Sequence, residues 1–260
     1  MPGERSSSSH SAAIGGGRVE IAGLTDRGTV REQNQDVWTN VDGPEGAAEC
    51  VLLLADGMGG HRGGLEAAQA AVEGAVGAVR ASAHPAEALP DIVSAAVRGV
   101  DAVRRSIGGE PGTTLVIAVV AMDQAWIAHV GDSRAYLIRD GHARLLTRDH
   151  SWAGEEVAAG RLSEAEARHH PRRNMITRAV LGDPVNPDLL RVDVETGDTV
   201  LLCSDGLWEP LDDSSIATLL AGDGPLETAL AAACDAALAA GSRDNVTLVA
   251  ARWLSASDTG

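Results

Sequence analysis

The stretch LLLADGMGGH, residues 52–61, runs three leucines and an alanine into one acidic residue, Asp56, and then into a run containing three glycines. A short apolar run that stops at turn residues reads as the end of a buried strand. That strand delivers a carboxylate to a loop of small residues, and the reading of the rest of the chain follows from asking what the carboxylate meets there.

On the N-terminal side of this stretch, RVEIAGLTD and DVWTNV are strand-like, separated by Gly, Pro and Asn punctuation. On its C-terminal side, residues 65–80 are alanine-rich with helix formers, and Leu89, Ile92, Val93, Ala96, Val97, Val100 and Val103 recur at helical spacing. A second strand series follows: TTLVIAVVA, AWIAHVGD, RAYLIRDG and ARLLT, the last three in the manner of a meander. Residues 149–173 turn polar, with three histidines, a short helical piece at about 155–159 and the basic RHHPRR, and read as an excursion from the core. DTVLLCSDG returns to strand, residues 213–220 and 225–240 read as helices, and NVTLVAARW closes the series as a strand. Strands in runs with helices in pairs argue against a doubly wound parallel sheet. The expected architecture is α+β: two antiparallel sheets packed together with helical layers outside. Residues 1–17 are expected to form a flexible tail, residues 18–254 one domain, and residues 255–260 a C-terminal tail.

Composition narrows the function. The apolar share of 44% is enough for a core, but Phe is absent and there is a single Tyr, so Ala, Val and Leu fill it with five Trp. With 21 basic against 37 acidic residues the net charge is −16, which disfavours nucleic acid and anionic membrane surfaces as partners. Cys50, Cys203 and Cys234 are widely spaced and form neither a disulfide framework nor a zinc site. No apolar run approaches a membrane span, and the N-terminus lacks the apolar centre of a signal peptide, so the expected location is cytoplasmic.

Four aspartates share one local grammar. Asp56 follows VLLLA, Asp132 follows IAHVG, Asp205 follows VLLCS, and Asp244 lies in GSRDN just before VTLVA. Any one of them alone reads as an Asx turn. Four of them on strand ends point further, because strands of adjacent sheets can bring their ends into one cluster, and packed carboxylates need metal ions or protons to neutralise them. Oxygen-only clusters select hard cations, Mg²⁺ or Mn²⁺, over zinc. Arg31, in RGTVREQNQD upstream of Asp36, offers a planar fork for phosphate oxygens. Alone it reads as a surface salt bridge; beside a metal cluster it suggests a phosphate ester as substrate.

RGTVREQNQD, LLLADGMGGH, PGTTLVIAVV, VGDSRAYLIRDG, LTRDHS, NMITRAVLG, LLCSDGLWEP and GSRDNVTLVA occur in the order found in bacterial metal-dependent protein phosphatases of the type 2C class, the PPM family. The chain resembles that family over nearly its whole length. The resemblance implies a four-layer α-β-β-α sandwich, two antiparallel sheets flanked by pairs of helices, with a binuclear Mn²⁺ or Mg²⁺ centre at one end. In that reading Asp56 bridges two metals, the Gly57 carbonyl binds one, and Asp205 and Asp244 hold the other. Asp132 with Asp205 would take a third, weaker metal, Asp36 would support the centre through water, and Arg31 would clamp the phosphate. Met58 stands where eukaryotic members carry the histidine proposed as general acid, leaving His61 as the nearest candidate. Gln35 and Leu65 stand where relatives carry Glu, and His129 where Asn is common. Residues 149–173 correspond to the flap beside the site. The implied activity is hydrolysis of phosphoserine and phosphothreonine by a metal-activated water with no covalent intermediate, on phosphorylated proteins that are substrates of a Ser/Thr kinase, by a monomer. The competing reading is a catalytically silent phosphoprotein-binding module on the same fold; loss of a metal aspartate would mark it, and Asp56, Asp205 and Asp244 are present.

Overall fold

The computed structural model describes residues 4–42, 49–58, 63–222 and 224–255. In chain order the strands and helices are β1 (Arg5–Ile14), β2 (Gly17–Asp26), β3 (Asp36–Asp42), β4 (Cys50–Met58), α1 (Gly64–Ala81), α2 (Leu89–Ile107), β5 (Gly112–Thr113), β6 (Leu115–Val120), β7 (Gln124–Val130), β8 (Arg134–Arg139) and β9 (His142–Leu145). They continue with α3 (Trp152–Ala158), α4 (Glu164–Arg168), β10 (Asp188–Asp193), β11 (Thr199–Cys203), α5 (Asp205–Trp208), α6 (Asp213–Leu220), α7 (Leu226–Ala239) and β12 (Val246–Leu254). One sheet has the order β1-β2-β12-β11-β8-β9 and the other β10-β7-β6-β4-β3, with β5 paired to β4. Every strand pairing is antiparallel. The α+β sandwich with helices outside is therefore the observed architecture.

Side-chain alternation explains why the central strands read as unbroken apolar runs. In β4, Leu52 and Leu54 face the opposite sheet, while Val51, Leu53 and Ala55 face α1 and α2. In β11, Val200 and Leu202 enter the space between the sheets, while Leu201 and Cys203 pack under α5, α6 and α7. Each central strand thus serves two cores at once, and three apolar layers stack through the molecule: helix against sheet, sheet against sheet, sheet against helix.

Small residues let the outer layers approach closely. The α1–α2 pair carries Ala67, Ala68, Ala71, Ala75 and Ala96 among its buried positions. A Cβ placed on Gly99 of α2 would lie 2.3 Å from the carbonyl oxygen of Ala70 on α1, so the helices meet backbone to backbone there. This packing is what a core without phenylalanine offers: thin layers at short spacing rather than bulky interlayer side chains.

The expectation of a flexible tail over residues 1–17 is corrected for residues 5–14, residues 1–3 lying outside the described residues. Residues 5–14 form β1, paired along its whole length with β2. Its side chains are mostly exposed and its RSSSSHSAAI sequence carries no alternation, so the pattern gave no strand signal. What holds it is tertiary: Arg5 bridges Asp26 at 2.9 Å and Asp235 at 2.7 Å, and Ser7 and Ser9 both donate to the Glu227 carboxylate of α7. Ile14, at its end, is buried between the sheets. β10 is likewise an edge strand, and the proline-containing segment before it carries no strand pattern. Between β9 and β10 the polar excursion holds α3 and α4, the latter started by a capping box in which Ser163 and Glu166 satisfy each other's backbone. No helix among the described residues is long and apolar enough to cross a membrane.

If the α1–α2 contact sets the spacing of this layer, Gly99→Val should cost about 1–3 kcal/mol, the usual range for overpacking. Thermal unfolding measures it. An unchanged midpoint would show that the helices separate without penalty.

Candidate metal centre

Both sheets deliver acidic residues to one end. Asp36 opens β3 and stands directly opposite Asp56 in the β3–β4 register, so two carboxylates face each other on neighbouring strands. Like charges in that position destabilise a sheet unless something neutralises them. From the other sheet, Asp205 begins α5 two residues beyond β11, and Asp244 lies two residues before β12. Asp132 sits in the turn joining β7 to β8. Sheet ends thus supply all five.

The backbone at Asp56 is tightly held. Its N–H donates to Thr114 Oγ1 at 2.9 Å, and its carbonyl accepts from the Thr113 hydroxyl and the Thr114 N–H. At Gly57 a Cβ would lie 2.3 Å from the Gly64 carbonyl oxygen and 2.8 Å from that of Gln35. The Gly57 N–H also donates to that Gln35 carbonyl, so two chain segments close on this glycine. No side chain fits between them.

A second set of residues, not singled out from the sequence, aims the aspartates. Ser204 donates its hydroxyl to Asp36 at 2.7 Å and accepts the Thr247 N–H, tying β3 to the other sheet. Asn245 accepts from the Gln35 N–H and donates to the carbonyls of Arg27 and Gln33, which clamps the loop bearing Arg31 beside Asp244. Trp208 donates its indole N–H to the Asp132 carbonyl at 3.1 Å, and the Arg134 guanidinium lies over the same ring while bridging Asp149 at 2.9 and 2.7 Å. The His150 N–H donates to the Gly131 carbonyl, and its Nδ1 accepts the Gly131 N–H. The base of the excursion is thereby locked to the turn that carries Asp132. The only signal for Asn245 and Trp208 in the sequence was their place beside Asp244 and Asp205.

The electrostatics show what this cluster lacks. Burial pushes the Asp36 carboxyl up to about 6, with the Asp244 charge adding to the effect and the Thr247 and Ser204 hydroxyls opposing it. Burial and then the charge of Asp149 raise Asp132 to about 7. Asp56 and Asp205 lie well above the usual carboxylate range, first through desolvation and then through the other aspartates of the group. Asp205 Oδ1 is buried with no hydrogen-bond partner. Arg31 pairs with Asp244 at 2.5 Å. Among the described residues no three acidic, imidazole or thiol groups already close on one point. The set nevertheless fits a hard divalent cation: oxygen donors only, mutually repelling, one of them orphaned, with the Arg31 guanidinium as counter-charge at Asp244. His61, the candidate general acid, lies outside the described residues.

The raised values carry a stability consequence whose sign is fixed. Between about pH 4 and about pH 7 these carboxyls hold more protons in the metal-free native state than in the unfolded chain, so their contribution to stability falls as pH rises; His129, lowered to about 3 by burial, opposes them up to about pH 6.5. Calorimetry of chelator-treated protein should show a lower Tm at about pH 8 than at about pH 5, with Mn²⁺ raising Tm more at the higher pH. A chelated protein that gains stability across this window would contradict the burial of these charges.

A family model described as Protein phosphatase 2C matches residues 27–241. The chain is 38% identical over 244 residues to the Mycobacterium tuberculosis serine/threonine protein phosphatase PstP, covering 90% of this chain but only 45% of that relative's length. It is 34% identical to the Listeria innocua serine/threonine phosphatase stp, covering 86% of this chain and 92% of that protein. Among solved structures, the catalytic domain of PstP in complex with two manganese ions superimposes with a TM-score of 0.78 at 32% identity, covering 91% of this chain and 99% of that one. Similarity of this extent in both sequence and structure leads to one conclusion: the chain belongs to the protein phosphatase 2C family.

Proposed function

We propose that this chain is a metal-dependent phosphatase acting on phosphoserine and phosphothreonine of other proteins. The observation that carries this reading is the convergence of Asp36, Asp56, Asp132, Asp205 and Asp244 from both sheets onto one end, with Arg31 beside them. In this proposal Asp56, the Gly57 carbonyl, Asp205 and Asp244 would hold two Mn²⁺ or Mg²⁺ ions. Asp132 with Asp205 would hold a third, weaker ion, and Asp36 would support the centre through water. Bound together, such ions lower the pKa of a water and offset charge on the phosphoryl oxygens.

The protein's own residues do the rest. Arg31 is half free of the surface and already oriented toward Asp244, so on substrate binding its fork exchanges one carboxylate for phosphoryl oxygens. Ser204 and Thr247 keep Asp36 ionised in place by accepting and donating within the sheet ends. The three cysteines are buried, and burial pushes the Cys50 thiol up to about 12 and raises Cys203 further, so no thiolate nucleophile is on offer. Hydrolysis without a covalent intermediate is the chemistry this set supports. Substrates would be phosphoproteins made by a Ser/Thr protein kinase, met in the cytoplasm by a monomer.

Hydrolysis of an aryl phosphate with and without Mn²⁺ tests the proposal, on wild type and on Asp205→Asn. Activity should require the metal and fall at least about 100-fold in the variant, the scale on which loss of one transition-state contact is felt. Metal-independent turnover, or a variant as active as wild type, would refute the binuclear reading. Absence of activity in both while metal still binds would favour the silent module.

A further inference from the structure

A groove of about 650 Å³ opens beside the aspartate cluster, running away from Asp244 between the 240–244 loop and the polar excursion. Its walls carry Arg31, Arg168, Arg173, Arg243 and His169 against the carboxylates of Glu209 and Asp244. In a chain of net charge −16 this is a local reversal of sign. The sequence contains no lysine, so every one of its 21 basic residues is an arginine, and every fixed cation in the groove is a planar fork suited to paired oxyanion oxygens.

These guanidinium groups are not equally committed. Arg168 donates to the Trp208 and Leu211 carbonyls at 2.7 and 2.6 Å and fixes α4 to the floor. Arg31 spans to Asp244. Arg173 makes one bond, 3.1 Å to Glu209. Arg243 is exposed, and neither it nor His169 has a side-chain hydrogen bond or ion pair among the described residues. The loop bearing Arg243 is nonetheless rigid: Ser242 donates its hydroxyl to the Gly206 carbonyl at 2.9 Å and its N–H to Ala237 at 3.0 Å. The backbone that carries Arg243 is therefore anchored one residue from Asp244, and its guanidinium has no partner among the described residues. Val30, 54% exposed, adds an apolar contact on the same wall.

We propose that this groove is a secondary anion subsite, which takes a second phosphate or carboxylate side chain carried by the same phosphoprotein, on one side of the residue being dephosphorylated. Arg243 and the uncommitted N–H groups of Arg173 grip that second anion, while Arg31 stays with the scissile phosphate. The assignment rests on the phosphatase reading above but is tested without turnover.

Fluorescence anisotropy on labelled, non-hydrolysable phosphonate peptides, with Mn²⁺ present, reads binding directly. A single phosphonate analogue of phosphoserine is compared with peptides that add a second phosphonate, or a glutamate, at successive positions on either side. A second anion on one side only should tighten Kd about tenfold, as expected for a charge-assisted pair, and the gain should shrink as salt is raised. A gain from phosphonate alone would make the subsite selective for the dianion, and a gain from both would make it general for oxyanions; each supports the proposal. Arg243→Glu, and separately Arg173→Glu, should bring the ratio of the two Kd values toward unity. Equal affinity for singly and doubly charged peptides, equal gain on both sides, or a ratio untouched by both variants would overturn the subsite. Aryl phosphate hydrolysis by the same preparations reports separately on the phosphatase reading.

Discussion

The structure is organised around repulsion. Asp36 and Asp56 face each other across adjacent strands, and Asp205, Asp244 and Asp132 arrive from neighbouring sheet ends, in surroundings that disfavour the charges of Asp36, Asp56, Asp132 and Asp205. Such a group does not persist unless rigid elements force it together and something positive answers it. Arg31 answers in part through Asp244, and the orphaned Asp205 oxygen marks what is left over. The polar residues next to the cluster are arranged accordingly. Ser204 holds the Asp36 carboxylate, while Asn245 and Trp208 hold the backbone of Arg27 and of Asp132.

The force that holds the cluster comes from the layers behind it. Strands buried on both faces cannot slip register by one residue without exchanging their two cores, so β4 and β11 deliver Asp56 and Asp205 at fixed positions. The layers are thin because they are built from Ala, Val and Leu, with helices close enough that Gly99 meets the Ala70 backbone. A rigid sandwich built this way can carry several unfavourable charges at one end, where a looser core would relax and separate them.

The excursion between β9 and β10 extends this logic outward. His150 joins it to the Asp132 turn, Arg168 joins α4 to the carbonyls beyond Trp208, and Arg173 reaches Glu209. An acidic chain thus gathers Arg31, Arg168, Arg173 and Arg243 beside the place where its own carboxylates converge.

Much of this was readable before any coordinates. Apolar runs ending in Asp and Gly located the buried strands, the alanine-rich repeats located α1 and α2, and four aspartates in one grammar pointed to a cation site, because those signals are written in residue type and short spacing. β1 and β10 were not readable, since an edge strand buries little and shows no alternation. Nor were Ser204, Asn245 and His150, whose partners lie tens to hundreds of residues away in the chain. The sequence by itself determined which residues carry charge, which strands are buried and how the layers alternate. Only the tertiary structure decided that Asp36 stands opposite Asp56, that Arg31 meets Asp244 and that Arg243 faces an open groove, because long-range pairing and loop geometry depend on contacts that no local pattern encodes.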